Sequence, residues 1–468
     1  MDGVPVLGVR LTVARCVTRA RGWGSGARRP ADRFVVRYRC EAASRLRSGR
    51  YIGRVLDLKA IRDDPEPVRA ALARRRDGSD AQLDRVLALD VRRRELLPAV
   101  EGIKAKQNAA SQAIAAAKQA GEDASGAIAE MQEVARRGKA LRDELDGVQA
   151  ELDEALALLP NPPDPTASDE DEVLYERGEA GRAGKDHLEL AGAWIDMEAG
   201  ARVAGSRFAY LKGDLVMLEL ALVRWALELL RGKGFEPVIP PVLVREEALY
   251  GTGFLPDTEQ AIYRLADDPL YLAGTSEVPL ASLHAGEILD GERLPLRYAG
   301  FSPCFRREAG AAGRDTRGLF RVHQFDKVEM FSYVAPEDAV AEHERLLANE
   351  EEILTALGIP YRVVNIAVND LGSSAAKKYD CEAWLPGQQR YRELTSTSNT
   401  TDFQARRLSI RYRPEDGGPR HVATLNGTAV AVGRTLIAIV ENGQREDGSV
   451  AIPEVLHGWG APSELRAD

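Results

Sequence analysis

The stretch FRREAGAAGRDTRGLFRVHQFDKVEMF, from Phe305 to Phe331, has charged and aromatic residues at both ends and glycines in its middle. Strand side chains alternate between faces, so an extended start puts Arg306 and Glu308 together and Arg307 opposite. The same alternation gathers Phe325, Lys327 and Glu329 on one face of a returning strand. Two antiparallel strands would therefore present Arg306, Glu308, Phe325 and Glu329 on one surface. A guanidinium offers a planar fork to phosphate or carboxylate, and an aromatic ring offers a stacking face to a base. Singly, each residue reads as a surface ion pair or a packing ring; the conjunction points to a nucleotide or another anionic ligand.

Three further segments carry compatible chemistry. AGTSEVPLASLH places Thr275 and Glu277 on one side of an extended run. YRELTSTSNTTDFQARR supplies Glu393 and Ser396, oxygen ligands of the kind Mg²⁺ prefers. ATLNGTAVAVGRTL leads Asn426 and Thr428 into a predicted helix, TAVAVGRTLIAIVENGQ, that carries Arg434. Neither GxxxxGK[ST] nor a strand-borne GxGxxG with a following acid occurs, and GTGFLP at Gly251–Pro256 reads as a turn. Phosphates would be held by side chains, not by a glycine cradle.

These segments need a scaffold. From about residue 173 onward, helices mix with short strands, which predicts an α+β body with a mainly antiparallel sheet. YLKGDLVMLELALVRWALELLRGKGF is an amphipathic helix ended by Gly234. EPVIPPVLV is extended, and Pro240 and Pro241 restrict it to a sheet edge, a place suited to an interface. HERLLANEEEILTALGI reads as a helix and PYRVVNIAV as a strand. From Ala81, Val86, Leu89, Arg93, Leu96, Val100, Ile103, Gln107, Ala110, Ile114 and Ala117 step by threes and fours. The rhythm resumes after AGEDASG with Val134, Gly138, Leu141, Leu145, Val148, Leu152, Ala155 and Leu159. These are two heptad seams, folded back as an antiparallel hairpin by a turn around Gly121–Gly126. The rod would be roughly 50–60 Å long at 1.5 Å per residue. Its first helix carries Arg85, Arg92, Arg93, Arg94, Lys104, Lys106 and Lys118 among acids, either as a solvated face or as a lever for nucleic-acid phosphates. LPNPPDPTASDEDE at Leu159–Glu172 ends the arm and is expected not to pack.

The 468 residues are long enough for two or three domains. With 44% hydrophobic and 29% charged residues, no apolar run reaches the length of a membrane span. Cys16, Cys40, Cys304 and Cys381 lie far apart, with no metal-ligand spacing, so no zinc site or disulfide framework is expected and a reducing compartment fits. Residues 1–54 hold 13 Arg, no Lys and only Asp2, Asp32 and Glu41, giving +10 against −19 for the remainder. That segment reads as a transit peptide, a basic arm, or upstream sequence from a misassigned start. The last is favoured, because helical patterning begins abruptly at VLDLKAIRDDPEPVRAALARR; the segment should then be dispensable.

The chain from about Val55 to its end resembles the bacterial-type seryl-tRNA synthetases, a class II aminoacyl-tRNA synthetase family. The resemblance rests on VLDLKAIRDDPEPV, the helical arm, TSEVPL, FRREAG…RDTRG…HQFDKVEMF, SAAKKYDCEAWLPGQQRYRELTSTSNTTDFQARR and LNGTAVAVGRTL. It implies a class II catalytic domain over 176–468, its antiparallel sheet flanked by helices. A tRNA-binding domain with the coiled-coil arm would cover 55–160, a linker 161–175 and the atypical extension 1–54, with Val55 itself as the alternative initiator. The implied reaction is attack of the serine carboxylate on the ATP α-phosphate, followed by transfer of serine to the 3′ end of tRNA(Ser), with tRNA(Sec) as a further candidate acceptor. Such a reaction needs alignment and charge neutralisation rather than an enzyme nucleophile.

By motif, Arg306, Glu308 and Arg434 would be catalytic, Arg306 on the α-phosphate and serine carboxylate and Arg434 on the outer phosphates. Arg307, Val322, Leu394 and Thr395 would line the ATP site, with Glu308 beside the adenine and Phe325 stacked on it. Glu393 and Ser396 would serve ATP and Mg²⁺. Thr275 and Glu277 would face the serine amino group and Glu329 and Thr428 its hydroxyl, with Ser276, Asn426 and Arg306 also in the serine site. Arg85, Arg92, Arg93, Lys104 and Lys106 would meet the long variable arm of the tRNA across a cytoplasmic homodimer. Leu394 and Thr397 depart from the family's usual isoleucine and cysteine, Thr428 stands where some members have serine, and the linker varies. A pathway-dedicated duplicate, a carrier-protein loader lacking the arm and an inactive paralogue are the competing readings. The glycine-rich AGAAGRDTRG is expected to stay mobile, since ATP and the tRNA end would reach it in turn.

Overall fold

The computed structural model describes residues 57–256, 262–308 and 317–466. The basic N-terminal segment with Cys16 and Cys40, Val55, and most of the glycine-rich loop lie outside the described residues.

The two heptad seams form helices α1 (Ser79–Ala120) and α2 (Ser125–Leu158). At 1.5 Å per residue the 42 residues of α1 extend about 63 Å, slightly longer than expected. Gly121 adopts φ +73°, and the Glu122 N–H bonds to the Ala117 carbonyl, closing the helix end. The turn spans only 121–124, so Gly126 is already helical. Seam residues Ile103, Ile114, Leu141 and Leu145 are half-buried, while Leu83, Val86, Leu96, Leu152 and Ala155 near the base are buried. Two helices alone can cover only a stripe, which explains the difference. Gly138 is required on that seam, because a Cβ there would lie 2.7 Å from Ile103 Cγ2. Among the described residues no helix is long and apolar enough to cross a membrane.

The body is an eight-stranded sheet of β1 (Glu172–Arg177), β2 (Glu236–Val238), β3 (Leu296–Phe305), β4 (Gln324–Val334), β5 (Tyr361–Asn365), β6 (Lys377–Leu385), β7 (Arg390–Asn399) and β8 (Ala423–Ala431). Their spatial order is β1-β5-β6-β7-β8-β4-β3-β2, antiparallel throughout except for β2 beside β3. The Pro-rich segment thus supplies an edge strand, as its prolines require. Helices α3 (Asp214–Gly232), α4 (Glu277–Ala281), α5 (Ala339–Ala356), α6 (Phe403–Arg407) and α7 (Val432–Asn442) complete the frame. One core joins Leu218, Leu222, Leu346, Ile353, Leu436 and Ile439 of the long helices to Val328, Met330, Val363, Leu425 and Val430 of the strands. Each fully buried side chain of this size contributes about 1.5–3 kcal/mol.

Three local expectations change. The helix expected from Thr428 begins only at Val432, because Thr428–Ala431 pair with β4 as the end of β8. Thr275–Glu277 are not extended: Glu277 opens α4. The proline-rich linker does pack. The Asn161 side-chain amide bonds to the Ser374 and Thr400 carbonyls, the Asn161 N–H donates to the Ser373 carbonyl, and Ala167 is buried against Val364 and Val368. The acidic end enters the sheet as β1 on β5.

Candidate active site

A cavity of about 590 Å³ opens over β4, β7 and β8, beside the end of β3. Its first wall comes from the opening motif. β3 ends at Phe305, so Arg306 and Glu308 share no strand face; Glu308 sits beyond the strand at φ +51°. Both nevertheless line the cavity, because the chain turns after Phe305 instead of continuing flat. Arg306 Nε donates to the Gly274 carbonyl at 3.1 Å, and its guanidinium lies 5.4 Å from the Phe325 ring centre. Glu308 is ion-paired with Arg321. The return strand keeps the expected alternation, with Phe325 and Lys327 facing the cavity.

Below them lies a buried polar network. Lys327 Nζ donates to Thr275 Oγ1 at 2.6 Å and pairs with Glu329 at 2.5 Å. Asn426 Nδ2 and Thr428 Oγ1 donate to the two Glu329 oxygens at 3.1 and 3.4 Å. A bulge between Val328 and Glu329 aligns Glu329 opposite Thr428. Glu329 is fully buried beneath the floor, and Asn426 and Thr428 carry its influence to the cavity surface. Nearby Glu277 has its carboxyl pushed up to about 7 by burial and by Glu329, against the pull of Lys327, Gln404 and Arg306. A small cationic group placed here would meet the Glu277 carboxylate and the hydroxyls of Thr275 and Thr428, with the Glu329 charge beneath them.

The third wall is β7. Strict alternation would separate Glu393 and Ser396, yet both line the cavity. Glu382 of β6 pairs with Glu393 and Cys381 with Thr395, so Leu394 is an extra residue that restores the phase. Arg434, from the first turn of α7, donates to the Glu393 carbonyl at 2.9 Å and lies 3.4 Å from its carboxylate. Desolvation opposes the charge on Glu393, but Arg434, Lys378 and Arg306 outweigh it and hold its carboxyl below the usual range. Phe320 has Arg392 at 3.8 Å and Arg434 at 4.7 Å from its ring centre. Its position is set by Leu319, whose N–H donates to His187 Nε2 at 3.2 Å while His187 Nδ1 faces Glu441.

Among the described residues there is no cluster of three His, Cys, Asp or Glu side chains able to hold a metal. The adjacent Glu393 carboxylate and Ser396 hydroxyl fit Mg²⁺ in its usual protein setting, where one or two protein oxygens join phosphate oxygens and water.

Val322, Leu394 and Thr395 also line the cavity. Ser276 does not; it is buried and shares a 2.7 Å hydrogen bond with Ser302. Arg307 is exposed and outside the lining, so the structure does not bring it to the cavity with the other predicted residues. Lys327, Lys378, Arg321, Phe320 and Gln404 are additions to the predicted set. The alternation of Phe325, Lys327 and Glu329 already pointed to Lys327. Gln404 gave no local signal, lying 127 positions from its partner Glu277.

On the arm, Arg85, Lys104 and Lys106 are exposed. Arg92 pairs with Glu95 and reaches Glu144 on α2, and Arg93 pairs with Asp90. The last two therefore already serve the hairpin itself.

Two family models match the chain: "Seryl-tRNA synthetase N-terminal domain" over residues 55–163 and "tRNA synthetase class II core domain (G, H, P, S and T)" over 262–443. The serine–tRNA ligase of Streptomyces coelicolor is 51% identical over 416 residues, covering 86% of this chain and 96% of the relative. That of Acidothermus cellulolyticus is 49% identical, covering 88% and 99%. A seryl-tRNA synthetase from Pyrococcus horikoshii, solved with ATP, superposes with a TM-score of 0.82 at 41% identity, covering 88% of this chain and all of that one. The cytoplasmic enzyme of Naegleria fowleri, solved with AMP, gives 0.76 at 32% identity, covering 86% and 96%.

Proposed function

The chain belongs to the seryl-tRNA synthetases, and from that premise we propose how its residues carry out the family's reaction. It is an ATP-dependent serine–tRNA ligase that forms seryl-adenylate and transfers serine to tRNA. The observation that carries the residue assignment is the buried Lys327–Glu329–Asn426–Thr428 network beside Arg306.

Serine seats with its ammonium toward Glu277 and Thr275 and its hydroxyl toward Thr428 and Asn426. A site built of buried polar partners penalises alanine, whose methyl leaves them unpaired. Arg306 holds the serine carboxylate against the α-phosphate and neutralises charge as the bond to pyrophosphate breaks. Arg434 meets the outer phosphates, steadied by Phe320 and the Glu393 carbonyl. The adenine takes the Phe325 side, near Glu308. Mg²⁺, held through Glu393 and Ser396, would supply charge neutralisation at the phosphates. Arg307 and Ser276 drop out of this scheme, because neither reaches the cavity.

The N-terminal domain, over about 55–160, serves tRNA through the exposed Arg85, Lys104 and Lys106 of its arm, and the body from 176 onward is catalytic. A local basic face can act within an acidic protein. We read the enzyme as a cytoplasmic homodimer, its dimerisation supported by exposed Met217 and Leu220 on α3 and by Ile239 beyond edge strand β2. The complete arm counts against a carrier-protein loader.

Serine-dependent exchange of labelled pyrophosphate into ATP, followed by charging of tRNA(Ser), tests the scheme. The wild type should perform both, and Arg306→Ala should lose at least about 100-fold in exchange. Exchange without charging would contradict the tRNA reading. Exchange at the wild-type rate in Arg306→Ala would overturn the site.

A further inference from the structure

Gln404 lies on α6 and is fully buried, 127 positions from Glu277, yet its Nε2 is 2.7 Å from Glu277 Oε1. Behind it, Thr424 Oγ1 donates to Gln404 Oε1 at 3.0 Å. Thr400 Oγ1 gives its proton to Thr424 Oγ1 at 2.6 Å, and the Thr424 carbonyl, 2.7 Å from Thr400 Oγ1, accepts from the Thr400 N–H at 3.1 Å. All four side chains are buried.

An amide presents either an acceptor or two donors, and its neighbours choose which. Thr424 has one hydroxyl proton. Spending it on Gln404 Oε1 turns the amide N–H groups toward Glu277. The flipped amide would set an oxygen against the Glu277 oxygen, which is tolerable only if that carboxyl is protonated. Amide orientation and the charge of Glu277 are therefore linked. From here we propose that Gln404 is a positioning residue for serine activation, its amide aimed by Thr424 so as to hold Glu277 as an ionised acceptor for the substrate ammonium. The inference rests on the reading of Glu277 as the ammonium partner.

The other charged groups acting on Glu277 are Lys327 and Glu329 from β4 and Arg306 from the end of β3. Gln404 is the donor supplied by α6. Burial and Glu329 push the carboxyl up to about 7, so it titrates in the working range and is sensitive to any lost donor. Because the folded enzyme needs the charged form to bind serine, affinity is present above that value and fades as pH falls through it.

The test is pyrophosphate exchange by the full chain, with kcat/KM for serine and for ATP measured between about pH 6 and pH 9. The enzymes compared are the wild type, Gln404→Met and Thr424→Val. kcat/KM reports groups of the free enzyme. Losing a hydrogen bond to a charged group corresponds to a shift of about one to two pH units. The acid limb for serine should therefore rise by that amount in Gln404→Met and by less in Thr424→Val, with kcat/KM for ATP held within about twofold. At pH 7 the serine KM of Gln404→Met should be about tenfold raised and should recover on alkaline titration. A merely structural role would move both substrates at every pH. If Gln404→Met does not fold, Thr424→Val decides by the same readout. A wild type active with serine beside variants whose acid limb is unmoved would overturn the inference alone. A wild type that exchanges with another amino acid but not with serine would overturn the proposed function, and the inference with it.

Discussion

Arg75 joins the arm domain to the wall of the active site, and its removal should loosen both. The guanidinium is 4% exposed and its donors go to carbonyls: Nε and Nη2 to Asn161 at 3.1 and 2.8 Å, Nη1 to Leu371 at 3.1 Å, Nη2 to Ala375 at 2.7 Å. Gly372–Ala375 line the substrate cavity, so a side chain preceding the arm holds the backbone of a catalytic wall. In Arg75→Met three buried carbonyls lose donors, at about 1–3 kcal/mol each. Against this, burial holds the Arg75 pKa down to about 10. Relieving that penalty returns roughly 3 kcal/mol at 1.36 kcal/mol per pH unit. The net local cost is about 3 kcal/mol, or roughly a 100-fold rise in junction opening. Native-state hydrogen exchange reads it directly at the Asn161 and Asp164 amides, which donate to the Ser373 and Ala376 carbonyls. Protection there should fall about 100-fold, while the Val328 and Leu425 amides of the central sheet are unaffected. Serine and ATP KM values should rise together, because in the proposed scheme the cavity that this wall lines holds both. Unchanged protection at those two amides would refute the reasoning, since an unstrained Met cannot replace donors to three carbonyls.

Two further outcomes follow from the fold. Trimming the hairpin tip across Ala110–Met131 should leave serine-dependent exchange within about twofold while lowering charging of tRNA(Ser) by at least about tenfold; equal loss of both steps would contradict the division between arm and body. Gly427→Ala should destabilise the enzyme by about 1–3 kcal/mol, because its Cβ would lie 3.0 Å from buried Glu350 Oε1 and 3.1 Å from Thr397 Oγ1. Thermal unfolding measures that cost, and an unchanged Tm would mean that the β7–β8 contact is looser than drawn.

Local periodicity was enough to determine the arm and one strand of the candidate site. The steps of three and four that end at Ala117 and resume at Val134 specify two helices, because only one face of each can be covered. The alternation of Phe325, Lys327 and Glu329 placed three residues on one strand face, because the pleat has a period of two. Family motifs carried Arg306, Glu393 and Arg434 to the same cavity. The exceptions arise where a long-range pairing overrides local period. The bulge at Leu394 is set by the pairing of β7 with β6, and it puts Glu393 and Ser396 in phase. β3 stops at Phe305, so Glu308 reaches the cavity by a turn at positive φ rather than by alternation. Ser276 points to Ser302 because Glu277 starts a helix. The linker packs because Asn161 finds carbonyl partners more than two hundred positions away. Gln404 behind Glu277, and Arg75 behind Ala375, are the same kind of fact. A buried polar group must find its partners wherever the fold brings them, and sequence spacing holds no record of that distance.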